Sequence, residues 1–154
     1  NSLVEMDSYG HDVEAGWLLC EAARVLEDRQ LMDRANRLAL DVTDACLAEG
    51  LSDKGYMMYE KKGGRTTGHA SWWGQIETMI ACVNAWQISG NDVYLQSADT
   101  VWTFVKDCMI DREYGEWYSD CFDGEPKKDT PKVSMWRCPY HTVRLGVEIH
   151  NRLK

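Results

Sequence analysis

The residues best suited to chemistry lie between Trp136 and His141, directly before the last predicted helix. Pro139 disfavours a helical conformation in the residue before it and suits the start of a helix, so His141 should lie in an opening helical turn. The positive end of the helix dipole disfavours a charged imidazolium there, and the neutral imidazole is the form that accepts protons near pH 7. His141 is therefore a candidate general base.

A second histidine, His11, also opens a predicted helix. Glu14 follows three residues later on the same helix face, where its carboxylate can fix the imidazole tautomer. Two alternatives stay open: Glu14 can simply stabilise the first helical turn, or the His-x-x-Glu pair can be part of a metal site whose other ligands are not visible. Aromatic side chains, whose faces suit sugar C–H surfaces, accompany both histidines: Tyr9, Trp72, Trp73, Trp136 and Tyr140. This combination predicts a carbohydrate pocket with proton-transfer chemistry.

Further candidates surround the start of the third predicted helix. Trp72 and Trp73 point about 100° apart on a helix, so one can pack into the core while the other faces the rim. Glu77 lies one turn after Trp73 and is either a pocket carboxylate or a surface residue. His69, in a glycine-containing segment, is expected to be an ordinary surface histidine, and Arg144 lies one turn beyond the histidine of the last helix.

Composition limits the class of protein. The chain has 154 residues, 44% of them hydrophobic, and a formal charge of −8. One domain with a sizeable core fits this length, and the acidic balance argues against nucleic acid and anionic membranes as partners. No run of roughly 18 apolar residues predicts a membrane span. The first residue is Asn1 and no signal-type segment follows, which suggests a piece of a longer protein.

The cysteines predict free thiols. Four of them fall within helical apolar patterns, and no C-x-x-C pair indicates a zinc or redox site. We therefore expect six reduced cysteines in a reducing, cytoplasmic compartment: Cys20, Cys46, Cys82, Cys108, Cys121 and Cys138.

Helical periodicity repeats along the chain. Broad apolar surfaces predict inner helices at 9–28, 70–88 and 140–153, and narrower stripes predict outer helices at 31–48 and 92–110. The inner helices recur about every 60–70 residues, longer than the common helical repeats, and this suits an α/α toroid. Because two and a half hairpins do not close such a ring, either a partner supplies the rest or the chain is the C-terminal part of a larger catalytic domain.

Turn residues separate these helices. Glycines predict the ends of the second and third helices at Gly50 and Gly90, and Asn91 predicts the cap of the fourth. Between the hairpins we expect short extended segments, a polar loop and a tight hairpin turn, at 56–59, 114–118, 60–69 and 123–124.

Four segments resemble, in order and spacing, the C-terminal half of the N-acylglucosamine 2-epimerase superfamily: GHDVEAGWLL (10–19), WWGQIE (72–77), GEWY (115–118) and WRCPYH (136–141). The CPYH form is most similar to the cellobiose 2-epimerase (mannobiose 2-epimerase) branch. The resemblance extends over essentially the whole chain. It implies an all-α fold of the (α/α)6-barrel (toroid) type, with residues 1–154 as one domain forming about half of the barrel. It also implies a reversible isomerase reaction, epimerisation at C2 of a reducing-end sugar, without metal or nucleotide cofactor.

The resemblance also implies roles. His11 and His141 are the two acid/base residues, exchanging the C2 proton of a ring-opened sugar through a cis-enediolate. Glu14 orients the histidine pair, and Glu77 is a further pocket carboxylate that assists proton traffic near the sugar oxygens. The implied substrate-binding side chains, with the two tryptophans as stacking platforms, are Trp73, Trp136, Tyr9, Tyr140 and Arg144.

Some features depart from the family pattern. Gly74 replaces a bulkier residue, and Thr142 stands where an asparagine commonly follows the histidine. The family's N-terminal half, which contributes an arginine, a tyrosine and another histidine to the pocket, is absent from this sequence. We therefore expect little or no activity from the isolated chain, and we expect the missing half or a second copy to cover its open edge.

Four functions are compatible with these sequence features. The first is a sugar 2-epimerase acting on β-1,4-linked disaccharides, and the second is an aldose–ketose (mannose-type) isomerase of the same superfamily. The third is an inverting glycoside hydrolase, which needs two carboxylates about 6.5–9.5 Å apart. The fourth is a non-catalytic sugar-binding or assembly module, in which the two histidines are too far apart to flank one carbon.

Overall fold

The computed structural model describes residues 6–154, in which five α-helices alternate with short strands. The helices are α1 (Tyr9–Val25), α2 (Arg29–Gly50), α3 (Trp72–Ser89), α4 (Val93–Phe104) and α5 (Tyr140–Arg152). A π-helical turn, Val105–Met109, continues α4. All five predicted helices are therefore present, with ends displaced by a few residues.

The third helix, α3, forms the centre of the molecule. Thirteen of its 18 residues are buried, whereas α2 buries four of 22 and α4 three of 12. It packs against all four of the other helices, α1, α2, α4 and α5. A helix that is apolar on nearly all sides is stable only when it is enclosed, which explains its inner position. The predicted order of inner and outer helices is confirmed for the first two hairpins.

The last helix, α5, packs mainly on α3 and leaves its other faces open. His141 is its one buried residue among 13, while Val143, Val147 and Leu153 are exposed. The broad apolar surface expected for the first helix is also only half covered, because Val25 and Leu26 are 82% and 66% exposed.

Six short strands lie in the connecting segments: β1 (Met6–Asp7), β2 (Glu60–Lys62), β3 (Arg65–Thr67), β4 (His69–Ser71), β5 (Asp120–Phe122) and β6 (Glu125–Pro126). They form two antiparallel sheets, β1-β2-β3 and β4-β5-β6. The prediction of a polar loop over 60–69 is wrong, because β2 and β3 pair as a hairpin across Gly63 and Gly64, whose φ angles are 53° and 75°. These strands are too short to show periodicity. Pairing of β4 with β5 places His69 opposite Phe122 and Ser71 opposite Asp120.

Three predicted turns can be compared with the backbone. Asp123 and Gly124 have φ angles of 53° and 89°, as a two-residue hairpin between β5 and β6 requires. Gly90, with φ of 71°, ends α3 as predicted. Asn91 is not the N-cap residue that the sequence predicted, because α4 begins at Val93 and Asp92 takes the cap position. Asn91 instead accepts a hydrogen bond from the Val93 amide through Oδ1, at 3.1 Å.

Gly50 differs from its expected role as a left-handed helix end. It is the last residue of α2, and its φ is not positive. A Cβ atom at this position would lie 2.7 Å from Met57 Sδ and 2.8 Å from Tyr9 Cγ. Glycine is therefore required because the Tyr9 ring and Met57 pack directly on the backbone.

All six cysteines are free, as predicted, and four of them are buried. Within residues 6–154, no helix combines the length and the apolar character that crossing a bilayer requires.

Candidate active site

The centre of the site is a buried pair formed by His141 and Glu77. His141 is the second residue of α5, and its Nδ1 lies 2.6 Å from Glu77 Oε1. The side chain of Glu77, from the second turn of α3, has no solvent exposure, and that of His141 is 7% exposed. The expected position of His141 in the first helical turn is confirmed.

Two further donors reach the Glu77 carboxylate. Arg144 Nη1 donates to Oε1 at 3.0 Å, and Trp17 Nε1 donates to Oε2 at 2.9 Å. Both groups can only donate, so the arrangement favours Glu77 as acceptor and places the hydrogen of the His141 imidazole on Nδ1. The other ring nitrogen, Nε2, is then the one that can take a proton from a ligand.

The second histidine, His11, is the third residue of α1. Its Nδ1 lies 2.7 Å from the Ser8 hydroxyl oxygen, and its ring centroid lies 4.5 Å from that of Trp73. The His141 ring lies 6.0 Å from the same indole. The two imidazoles therefore contact one tryptophan, although they come from helices at opposite ends of the chain.

Glu14 does not pair with His11, contrary to the expectation from their spacing. Its carboxylate accepts a hydrogen bond from Arg144 Nη1 at 2.6 Å, while His11 is held by Ser8. Burial acts to lower the pKa of Arg144, but its hydrogen bond to Glu14 and the charges of Glu14 and Glu77 outweigh this effect and raise the pKa. The arginine joins the two carboxylates, because a cation between them is favourable.

Glu14, Glu77 and His141 also offer ligand atoms within 4.8 Å of one another, as a metal site would. Arg144, however, hydrogen-bonds both carboxylates and supplies the positive charge that they require. Nδ1 of His141 is engaged with Glu77 as well. The donor set is therefore used for an internal ion-pair network and does not fit a metal ion well.

A cavity of about 560 Å³ opens beside this network, a volume typical of small-ligand sites. Six of the side chains expected at the site line it: His11, Glu14, Trp73, Trp136, Tyr140 and His141. Burial raises the pKa of the Tyr140 hydroxyl.

The other three candidates do not line the cavity. Tyr9 is 2% exposed and packs in the core against Gly50, because its position at the start of α1 faces α2. Arg144 contacts Glu14 and Glu77 in place of a ligand. Glu77 lies behind His141, so its position suits holding the imidazole better than contacting sugar oxygens.

Comparison with known proteins identifies the family. The family model for "N-acylglucosamine 2-epimerase (GlcNAc 2-epimerase)" matches residues 7–144. This chain belongs to that family.

The similar proteins are longer than this chain. A cellobiose 2-epimerase of Bacteroides fragilis is 40% identical over 147 residues, covering 92% of this chain and 37% of the relative. One of Dictyoglomus turgidum is 32% identical over 154 residues, covering 99% of this chain and 39% of the relative. The crystal structure of a sugar epimerase from a ruminal bacterium superposes with a TM-score of 0.93 at 35% identity, again with 99% and 39% covered. This chain thus spans about two fifths of these relatives and forms about half of an (α/α)6 barrel.

The family motifs lie where the cavity is built. GHDVEAGWLL forms the first part of α1, WWGQIE opens α3, and WRCPYH leads into α5. The two adjacent tryptophan rings differ: Trp72 is 6% exposed and packs in the core, whereas Trp73 lies between the histidines. Trp72 also reaches the cavity, where its ring meets that of His141 edge-on at 5.0 Å. The GEWY segment contributes the Trp117 carbonyl, which accepts a hydrogen bond from Arg137.

Several cavity residues of this family member were not expected from the sequence. His69 is stacked between Tyr59 and Phe122, with ring centroids 4.6 and 5.1 Å away, and it lines the cavity with Asp120. Its pKa is lowered, mainly by burial. The surface position expected for His69 is wrong, because the β4-β5 pairing that encloses it joins segments far apart in the chain.

Arg137 anchors the segment that carries Trp136. Its guanidinium donates to Ser119 Oγ and to the Trp117 carbonyl, and it lies over the Trp72 ring at 4.8 Å. Trp136 itself is 84% exposed at the cavity rim. Trp136 is thus exposed to solvent, while the contacts of the adjacent Arg137 hold its backbone in place.

Proposed function

We propose that this chain supplies the two acid/base histidines of a sugar 2-epimerase. Its reaction interconverts the glucose and mannose configurations at C2 of the reducing end of a β-1,4-linked disaccharide. The main support is the placement of His11 and His141 against Trp73 in one cavity.

The chemistry requires two bases. In the ring-opened sugar the C2 proton lies α to the C1 aldehyde and is therefore acidic enough to be removed, leaving a cis-enediolate. Return of a proton to the opposite face of C2 inverts the centre, whereas return to C1 yields a ketose. One histidine removes the proton and the other delivers it, and the roles exchange in the reverse direction.

The environments of the histidines suit these roles. Glu77 holds Nδ1 of His141, and Ser8 lies within hydrogen-bond distance of Nδ1 of His11. Nε2 of each ring thereby remains for the sugar. An inverting hydrolase would instead need two carboxylates facing the bond to be cleaved. Of the two that line this cavity, Glu14 is engaged by Arg144, and Asp120 lies 3.7 Å from His69 Nε2.

The chain has an open apolar face between α1 and α2. A groove of about 550 Å³ runs between α1 and α2, lined by Leu19, Leu26, Leu31 and Leu38. We expect the remaining barrel helices, as found in the longer relatives, to cover this face, with a second copy of the chain as the alternative. The isolated chain should then have little or no activity. We also propose the reducing cytoplasm as its compartment, in which free thiols such as these six persist.

The test uses the longest polypeptide that carries this chain, incubated with cellobiose or mannobiose in D2O. NMR then measures deuterium at C2 of the reducing sugar, alongside His11→Ala and His141→Ala. We expect deuterium at C2 together with the epimer, and its loss in either variant. A ketose as the main product would assign the aldose–ketose isomerase instead, and absence of C2 exchange in a folded protein would refute the proposal.

A further inference from the structure

His69 and Asp120 form a polar pair in the wall of the cavity. Their strands, β4 and β5, pair in an antiparallel register that makes the two residues diagonal neighbours on one face. Ala70 and Cys121, the opposed residues between them, face the core and have no solvent exposure. The buried side of the two strands therefore fixes the positions from which the histidine and the aspartate reach the cavity.

Aromatic rings hold the His69 imidazole on both of its faces. Tyr59 stacks on it with ring centroids 4.6 Å apart and planes at 25°, and Phe122 stacks at 5.1 Å and 19°. Nδ1 of His69 is buried and has no hydrogen-bond partner among residues 6–154. Nε2 lies 3.7 Å from Asp120 Oδ1. The ring is thus fixed with its Nε2 edge beside the carboxylate.

The His69 imidazole is neutral near pH 7 and carries its hydrogen on Nε2. Burial lowers the pKa of His69, although the charges of Asp120 and Glu60 oppose this effect. The carboxylate beside Nε2 favours the hydrogen there rather than on Nδ1. At 3.7 Å, this N–H and the carboxylate are too far apart for a direct hydrogen bond. A hydroxyl group suits the gap between them, because its oxygen can accept from the N–H and donate to the carboxylate.

We propose that His69 and Asp120 form a binding subsite for one hydroxyl group of the second sugar unit of the disaccharide. The hydroxyl accepts a hydrogen bond from His69 Nε2 and donates one to the Asp120 carboxylate. The inference rests on the proposed function in one respect, that the ligand is a disaccharide.

The location of the pair assigns it to the second sugar unit rather than to the reacting one. Trp73 contacts both His11 and His141, between which C2 reacts. Tyr59 meets Trp73 edge-on, with ring centroids 6.3 Å apart, and stacks on His69 beyond it. Two aromatic rings therefore separate the subsite from the reacting carbon, although one cavity contains both. The unit attached through the β-1,4 linkage is the part of the ligand that extends away from C2.

Binding of an unreactive ligand tests the subsite without the reaction. Cellobiitol, the reduced form of cellobiose, has an open chain and no aldehyde, so it cannot exchange a C2 proton. Four analogues each lack one hydroxyl group of the second unit, and calorimetry measures their Kd values with the longest polypeptide that carries this chain. We expect at least one analogue to bind about 10-fold more weakly than cellobiitol, because it leaves the pair without its hydroxyl partner.

Two variants on different strands identify the groups responsible. His69→Phe keeps an aromatic ring between Tyr59 and Phe122 but removes the N–H, and Asp120→Ala removes the carboxylate. In each variant, one and the same analogue should lose less affinity relative to cellobiitol than it does in the unmodified protein. In the double variant, this analogue and cellobiitol should bind equally. The losses caused by the other three analogues should not change.

His150→Phe is the matched control. His150 is an exposed histidine in the last turn of α5, outside the cavity. This variant should leave every Kd unchanged, and thermal unfolding should show that all variants are folded. The proposal is overturned if cellobiitol does not bind the unmodified protein, if no analogue loses less affinity in the variants, or if the two variants identify different hydroxyl groups.

The outcomes separate the subsite from the proposed reaction. Selectivity for one hydroxyl that depends on both residues, without C2 exchange in cellobiose, would refute the reaction and leave the subsite in place. C2 exchange in cellobiose, with the same analogue losses in every variant, would refute the subsite and leave the reaction in place.

Discussion

Glu77 and His141 are 64 residues apart in the sequence, yet Glu77 Oε1 lies 2.6 Å from His141 Nδ1 in a nearly solvent-free position. Two helices, α3 and α5, must pack in one register to bring them together. Both the stability of the fold and the chemistry proposed for the cavity therefore depend on this pair.

Removing the carboxylate should therefore reduce both stability and activity. Glu77→Ala leaves the Trp17 and Arg144 donors without this acceptor, and breaking a buried charged pair costs about 3–5 kcal/mol. Denaturant unfolding measures the loss. Glu49→Ala, which removes an exposed salt bridge to Lys61, is the control and should change the free energy of unfolding by less than about 1 kcal/mol. Equal losses in the two variants would contradict the assigned role of the buried pair.

Acid should weaken the ion pair between Asp111 and Lys132. Asp111 accepts hydrogen bonds from Lys132 and from two backbone amides, and these contacts lower its pKa to about 2. A carboxyl with a lowered folded-state pKa contributes stability above its unfolded value of about 4, and this contribution is lost as the pH falls toward 2. The difference in unfolding free energy between the unmodified protein and Asp111→Asn should shrink over that range. A difference that does not change with pH would argue against the ion pair.

The six thiols should differ widely in reactivity. Cys138 is exposed, whereas burial raises the pKa of Cys46, Cys82 and Cys121 to about 12. Since the thiolate is the reactive form, iodoacetamide at pH 8 should label Cys138 first and the buried cysteines only on unfolding. Mass spectrometry of timed samples measures the order, and Cys138→Ser should abolish the fast phase. Rapid labelling of Cys82 in the native protein would contradict the packing of α3.

Gly50→Ala should destabilise the fold. Its added Cβ would lie 2.7 Å from Met57 Sδ and 2.8 Å from Tyr9 Cγ, and such overpacking costs about 1–3 kcal/mol. Gly146 lies within α5, and a Cβ added there would meet no atom of the described residues within 4 Å outside its own helical backbone. Gly146→Ala should therefore stabilise by up to about 1 kcal/mol. Thermal unfolding of both variants should show shifts of opposite sign.

The open face should cause self-association of the isolated chain. The groove between α1 and α2 is lined by leucines that are 39% to 66% exposed, namely Leu19, Leu26, Leu31 and Leu38. Contiguous apolar patches favour contact between molecules. Size-exclusion chromatography with light scattering should show oligomers at high concentration. Leu26→Glu should reduce them, while Lys62→Glu, on the polar strand β2, should not. A stable monomer at high concentration would show that the face needs no cover.

The sequence alone determined features whose signals lie within a few residues. Pro139 marks the start of α5 at Tyr140, Gly90 ends α3, and Asp123-Gly124 forms the hairpin turn. Helical periodicity likewise determined the alternation of inner and outer helices, because burial of an apolar face repeats with the helical turn. The resemblance to the family predicted the side chains of the candidate site, and most of these side chains line the cavity.

Tertiary structure alone decided which side chains meet. The sequence spacing predicted a pair between Glu14 and His11. In the packed arrangement of α1, α3 and α5, Glu14 instead hydrogen-bonds Arg144, and Glu77 pairs with His141. Tyr9 turns into the core because Gly50, on another helix, leaves room for its ring.

The same holds for His69, which enters the cavity through a strand pairing with Phe122. The physical reason is that hydrogen bonds and ion pairs depend on atomic positions set by the register of helices and strands far apart in the chain. Local periodicity predicts which face of an element is buried, but it carries no information about the partner that this face will meet.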